Sequence, residues 1–244
     1  MHDSTRLAVE TFWADLFTLD RSRLWREVTT THPHGLLGDY DGWYVAWREK
    51  GVHISAPPSA TTDEVAALTE VDVRELQRPE FWHAFAGPRG ARVIGPSQHH
   101  YLDDDPGVPG DVEQVSPSRL TPLRGSVTPD EWDESGIPDA LDDGGEALAV
   151  WGATGEAERP WVPALLGGAV LTDTAGANRD IGLLVAADSR GRGVGLRLGQ
   201  AAASYAVRWH GWARWTCRVA NEPSLRTAAR LGFEPYATQL AVRA

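Results

Sequence analysis

Residues 180–205 read DIGLLVAADSRGRGVGLRLGQAAASY, and this passage decides how the rest of the chain is read. Ile181 to Val185 is an apolar run of strand length, Asp188 and Ser189 make a polar turn, and Arg190, Gly191, Arg192, Gly193, Val194 and Gly195 lead into a helical pattern. The glycines let main-chain amides approach a ligand without side chains between them. The unsatisfied amides of a first helical turn carry a partial positive charge of about +0.5. A phosphate is the natural guest of such a turn.

Spacing excludes two well-known phosphate loops. A P-loop requires Gly-Lys followed by Ser or Thr, which the passage lacks. A dinucleotide fingerprint requires a further glycine where Leu198 stands, counted from Gly193 and Gly195. What remains is Arg-x-x-Gly-x-Gly after a strand.

Composition limits the rest. The 244 residues are 42% hydrophobic and 23% charged, as in an ordinary globular protein with room for one large or two small cores. Asp3 and Glu10 flank only a short apolar stretch, and no run is long enough for a bilayer, so neither a signal peptide nor a membrane span is expected and a cytoplasmic location follows. The single cysteine, Cys217, excludes an internal disulfide and a cysteine-rich metal site; within Trp215 to Val219 it reads as a packed core thiol. No metal is expected. The net charge of -11 is concentrated in residues 101–160, which carry 15 acids and 3 bases, whereas residues 161–244 carry 5 and 10. The excess arginines lie around the glycine passage, where an anionic cofactor explains them. Nucleic acid is a poor partner for so acidic a chain.

From the N-terminus, Leu7 to Leu19 is a helix candidate, and Trp43 to Trp47 with Val52 to Ser55 form a strand pair around Glu49, Lys50 and Gly51. Thr62 is placed as the cap of a helix continuing through Glu64 to Leu76. Ala91 to Ile94 and Gln98 to Leu102 read as separate extended pieces. His99 and His100 point to opposite faces of their strand, giving one core and one surface histidine. Asp103, Asp104, Asp105, Pro106 and Gly107, then Pro109 and Gly110, read as a linker, which divides the chain into 1–105 and 112–244.

Beyond it come a strand at Val112 to Val115 and a helix with Thr128 as cap, Pro129 first, and Asp130 and Glu131 in the first turn. Strands follow at Ala147 to Trp151, Trp161 to Leu171 and Asp180 to Val185, with a turn at Asp173, Gly176 and Asn178. In the next helix Val194, Leu198, Ala202, Tyr205 and Trp209 share a face, with Arg197 and Arg208 off it. A strand at Ala213 to Val219 leads to Asn221 as the cap of a last helix, closed by Gly232 before Phe233.

Strand, Arg190 to Gly195 turn, helix, strand, then Asn221 and the Leu231, Gly232, Phe233 ending give an order of motifs that resembles the GNAT superfamily of acetyl-CoA-dependent N-acyltransferases. The resemblance covers residues 112–244 and is strongest after Asp180. It implies an α/β fold with a mixed, mostly antiparallel central sheet flanked by helices. It also implies that the Asp180 strand splays from the strand after the glycine-turn helix, leaving backbone groups of Leu183, Leu184 and Val185 for the pantetheine arm of acetyl-CoA. On the same resemblance, Arg190, Gly191, Arg192, Gly193, Val194 and Gly195 hold the diphosphate and Asn221 lies near the thioester.

The implied reaction is direct attack of a primary amine on the thioester, with an amide near Leu184 or Val185 as oxyanion donor. Asp180 is the first candidate for the base, with Asp173 and Glu146 behind it. Many members carry a tyrosine as the acid where this chain has Ala228, so Ser224, Tyr236 or water is left for that step. A CoA-binding regulatory module without turnover is the alternative.

The acceptor is expected to be a small-molecule or peptidic amine. A cationic one suits the acidic middle segment, although a solvated surface explains those charges as well. The N-terminal half reads as either a degenerate GNAT-like copy or an added lid. Trp43, Trp47, Trp82, Trp132, Trp151 and Trp161 are mainly core, with an acceptor cleft as their other use. The subunit number is left as monomer or homodimer.

Overall fold

The computed structural model describes residues 1–152, 164–174 and 176–243. Expectations for Trp161 fall outside these residues. The described chain divides into two compact units. The N-terminal unit holds His2–His99, Cys217–Asn221 and the chain from Pro235 onward; the C-terminal unit holds Met1, His100–Thr216 and Glu222–Glu234.

The N-terminal unit opens with α1 (Asp3–Leu16), followed by β1 (Val28–Thr31), β2 (Trp43–Arg48) and β3 (Gly51–Ser55). Next come α2 (Thr62–Thr69), α3 (Val73–Leu76), α4 (Pro79–Ala86) and β4 (Arg92–Leu102). β2 and β3 pair antiparallel as the expected hairpin, while β1 runs parallel to β3. Trp43, Val45, Ile54, Leu76, Trp82 and Leu240 are central to the core on one face.

Four local readings change here. Thr61, not Thr62, is the cap of α2, because Thr61 and Glu64 close a reciprocal capping box that requires its acid at the third helical position. The helix expected through Leu76 stops at Thr69 and restarts after Asp72, whose carboxylate accepts from the Arg74 amide. The two extended pieces of 91–102 are one strand, β4. Both of its histidines are buried, at 1% and 5% exposure. His99 packs edge-on against Trp13 at 4.9 Å, while His100 Nδ1 lies 3.4 Å from the Trp215 carbonyl, so both faces of the strand are covered.

The C-terminal unit continues with β5 (Val112–Val115), α5 (Pro129–Asp133), α6 (Ile137–Asp143), β6 (Glu146–Gly152) and β7 (Ala164–Asp173). It ends with β8 (Asn178–Val185), α7 (Val194–His210), β9 (Ala213–Arg218) and α8 (Glu222–Arg230). The last strand, β10 (Glu234–Arg243), pairs antiparallel with β2 in the N-terminal unit. Within the C-terminal unit the strand order is β9-β8-β7-β6-β5, antiparallel except between β8 and β9. Mixed, mostly antiparallel strands flanked by helices are the architecture expected.

Leu120, Leu123, Trp132 and Ile137 cover one face of β6–β8 and pack around Val170 and Leu184. Val194, Leu198 and Ala202 of α7 are buried at 1% exposure or less. The expected face does not continue to the end of α7, where Trp209 is 71% exposed. Burying a chain-end turn requires a partner surface, and period alone does not supply one.

The acidic passage read as a linker is fastened to α7. Asp105 accepts from Ser204 Oγ and from Arg208 Nε, each at 2.5 Å, Gln200 donates to the Pro106 carbonyl at 2.8 Å, and Asp111 pairs with Arg197 at 2.7 Å. Hydrogen bonds from Ser204 and Arg208 hold the Asp105 carboxyl down to a pKa of about 2. Opposite charges supplied by a distant helix overcome the local repulsion of the Asp103–Asp105 run.

Candidate functional site

β8 and the turn after it build the site. On one side β8 is laddered with β7 from Asp173↔Asn178 to Gly167↔Val185. On the other side, among the described residues, it shares one registered pair with β9, Asp180↔Arg214. From Ile181 onward that edge has no strand partner among the described residues. The Ala186 amide donates to the Leu166 carbonyl at 3.0 Å. Because antiparallel backbone groups alternate in direction, the N–H and C=O of Leu184 also turn to β7, whereas those of Leu183 and Val185 turn to the open edge. The Leu184 side chain is in the core, while Leu183 and Val185 lie under the start of α7. A Cβ placed on Gly195 would meet their methyl groups at 3.6 and 3.4 Å.

The turn brings α7 in over that edge. Gly193 caps the helix with φ of 77°, a left-handed conformation that costs any side-chain-bearing residue about 1–2 kcal/mol. Among the described residues nothing lies within 4 Å of a Cβ placed at Gly191 or Gly193, which leaves the space above the turn open to a ligand. The Arg197 amide is bonded back to the Gly193 carbonyl at 3.2 Å, leaving the amides of Val194, Gly195 and Leu196 without acceptors inside the helix. Arg192 is exposed and has no partner among the described residues. An open cradle, three amides and a cation fit a diphosphate.

Arg190 is engaged. Its Nη2 lies 2.8 Å from Glu131 Oε1 in α5, and its Nε donates to the Val185 carbonyl at 3.4 Å. The first-turn acid Glu131 was readable from the sequence as a helix signal; its second partner was not.

Asp180 sits where β8 and β9 part. Its Oδ1 is buried with no hydrogen-bond donor among the described residues and lies 3.8 Å from Arg214 Nε. Arg214 is fixed by Thr216 Oγ1 at 3.2 Å and Thr174 Oγ1 at 3.1 Å. Glu146 accepts from the side chains of Asn178 and, at 3.5 Å, Tyr205, so it is more heavily bonded than Asp180. Asp173 is an exposed residue at the end of β7.

Ser224 Oγ accepts from Trp215 Nε1 at 3.0 Å, and Ala228 is fully buried in α8. Asn221 directly precedes α8 and, with Tyr236, belongs to the N-terminal unit rather than to the unit of the glycine turn. Tyr236 is 5% exposed, its hydroxyl accepts from Trp25 Nε1 at 3.1 Å, and burial raises its pKa. Of the tryptophans, Trp43, Trp82 and Trp132 are buried in core positions. No group of three or more possible metal-ligating side chains is found among the described residues, and no helix there is long and apolar enough to cross a membrane.

The acetyltransferase (GNAT) family model matches residues 119–233. No curated protein matches the chain. Among solved structures, a Drosophila protein superposes with a TM-score of 0.50 at 16% identity, covering 83% of this chain and 74% of its own. A GNAT-family protein of Novosphingobium aromaticivorans gives 0.49 at 15%, covering 63% of this chain and 66% of its own, just under two thirds of its length. A GCN5-related N-acetyltransferase of Kribbella flavida gives 0.46 at 17%, covering 99% and 95%. Residues 119–233, which contain the open-edged strand and the glycine turn, are thus the part of this chain that is similar to the acetyltransferase (GNAT) family.

Proposed function

We propose that the chain transfers an acetyl group from acetyl-CoA to a primary amine of a small-molecule or peptidic acceptor by direct attack, using residues 112–244. The observation that carries this reading is the open edge of β8 leading straight into a helix capped by a left-handed glycine. The amides of Val194, Gly195 and Leu196 would hold the diphosphate, with Arg192 as its charged contact. Leu183 and Val185 would offer backbone groups to the pantetheine arm, and acetyl-CoA itself supplies the activated thioester. An amide on that edge, at Val185, is the donor for the oxyanion. Asp180 takes a proton of the attacking amine as its nitrogen bonds to the carbonyl carbon; the C–S bond then breaks, and CoA leaves as the thiolate, to be protonated by water. Its bare buried oxygen favours a proton acceptor at that place. The acidic stretch around α5 and α6 favours a cationic acceptor.

Thiol release from acetyl-CoA over a panel of polyamines, aminoglycoside-like amines and peptide N-termini tests the reading. Amine-dependent release supports it. Binding of CoA with no release for any amine favours a regulatory CoA-binding module, a second reading to which Ala228, buried and without a hydroxyl, lends weight.

A further inference from the structure

Glu131 is a stationary anion. Its Oε2 accepts from the Thr128 amide at 2.9 Å and from the Thr128 hydroxyl at 3.1 Å, while its own amide donates to Thr128 Oγ1 at 3.3 Å. This box fixes the carboxylate on its helix and leaves Oε1 turned to Arg190 at 2.8 Å. Arg190 in turn opens the turn whose amides suit a diphosphate, so two anions are in reach of one guanidinium. With side-chain exposures of 48% and 37%, the pair is solvent-screened and easily exchanged.

We propose that Glu131 is a positioning residue that competes with the cofactor diphosphate for Arg190, lowering cofactor affinity and linking occupancy of the turn to α5. This rests on the diphosphate reading above. The link has a short physical route. Four residues after Glu131 the Ser135 carbonyl lies so close to Gly182 of β8 that a Cβ there would approach it to 2.1 Å. Gly182 adjoins Leu183, whose backbone faces the open edge. A change of partner at Glu131 therefore acts on a short helix whose following residue Ser135 is seated against the strand that would bind the pantetheine arm.

Calorimetric titration of CoA into the full chain, Glu131→Gln, Arg190→Gln and the double variant tests the competition. Glutamine keeps the capping acceptor, so the helix start survives while the charge is lost. Glu131→Gln is expected to bind CoA about three- to fivefold more tightly, the upper part of the range an exposed ion pair spans. In the Arg190→Gln background the same change is expected to do nothing. Unchanged affinity in Glu131→Gln overturns the proposal, as does tightening that persists without Arg190, which would be plain charge repulsion. If the wild-type chain binds no CoA at all, the diphosphate reading itself fails and the competition with it.

Discussion

Asp180 and Arg214 form the one registered pair between β8 and β9 among the described residues, and their side chains approach to 3.8 Å at the point where the strands part. The ion pair thus closes the sheet at one end of the open edge.

Asp180→Asn is expected to lower turnover with the best amine at least about a hundredfold, the scale of a lost general base, with acetyl-CoA affinity changed by less than about twofold. Steady-state kinetics and calorimetry on the same preparation check this. Turnover at the wild-type level would assign the base elsewhere, Glu146 being next.

Gly193→Val should leave the unit folded and weaken CoA binding about tenfold or more. The cause is backbone rotation, since φ of 77° is unfavourable for a β-branched residue and the surrounding space is empty. Affinity equal to wild type in a variant with an unchanged melting curve would remove the turn from the binding site.

Gly182→Val is expected to destabilise the C-terminal unit by about 2–3 kcal/mol, the cost of overpacking a tight contact. A valine there would drive into the Ser135 carbonyl and Val170. Denaturant titration followed by tryptophan fluorescence gives the measurement, and a midpoint like that of wild type would refute the tight seat.

Stability of the N-terminal unit should fall in mild acid. His53 is fully buried, accepting at Nε2 from the Trp25 amide at 2.9 Å and lying 2.6 Å from Thr29 Oγ1. Burial lowers its pKa to about 4 from 6.5, with Glu27 raising it slightly and Arg23 lowering it. The unfolded chain therefore takes up a proton first as pH falls. Stability is complete above about 6.5 and declines towards pH 4, by up to about 3 kcal/mol. Unfolding midpoints at several pH values for wild type and His53→Gln check it; an equal slope in both would clear His53 of the effect.

Local signals carried much of this protein. The glycine turn was legible because left-handed backbone at Gly191 and Gly193 and a helix start at Val194 depend on residues a few positions apart. The same holds for Thr128 as a helix cap and for the β2–β3 hairpin. By contrast, alternation along Leu183, Leu184 and Val185 was visible, but which of them faces an open edge depends on where β9 departs.

The amino-acid sequence by itself therefore determined that a strand, a glycine turn and a helix follow one another, because φ preference, capping and apolar period act between near neighbours. The tertiary structure alone decided that Glu131 meets Arg190, that Asp105 anchors its acidic run on α7, and that both His99 and His100 are buried. Each of those outcomes needs a partner supplied by a distant part of the chain, and pairing energy between distant groups leaves no period or spacing to read.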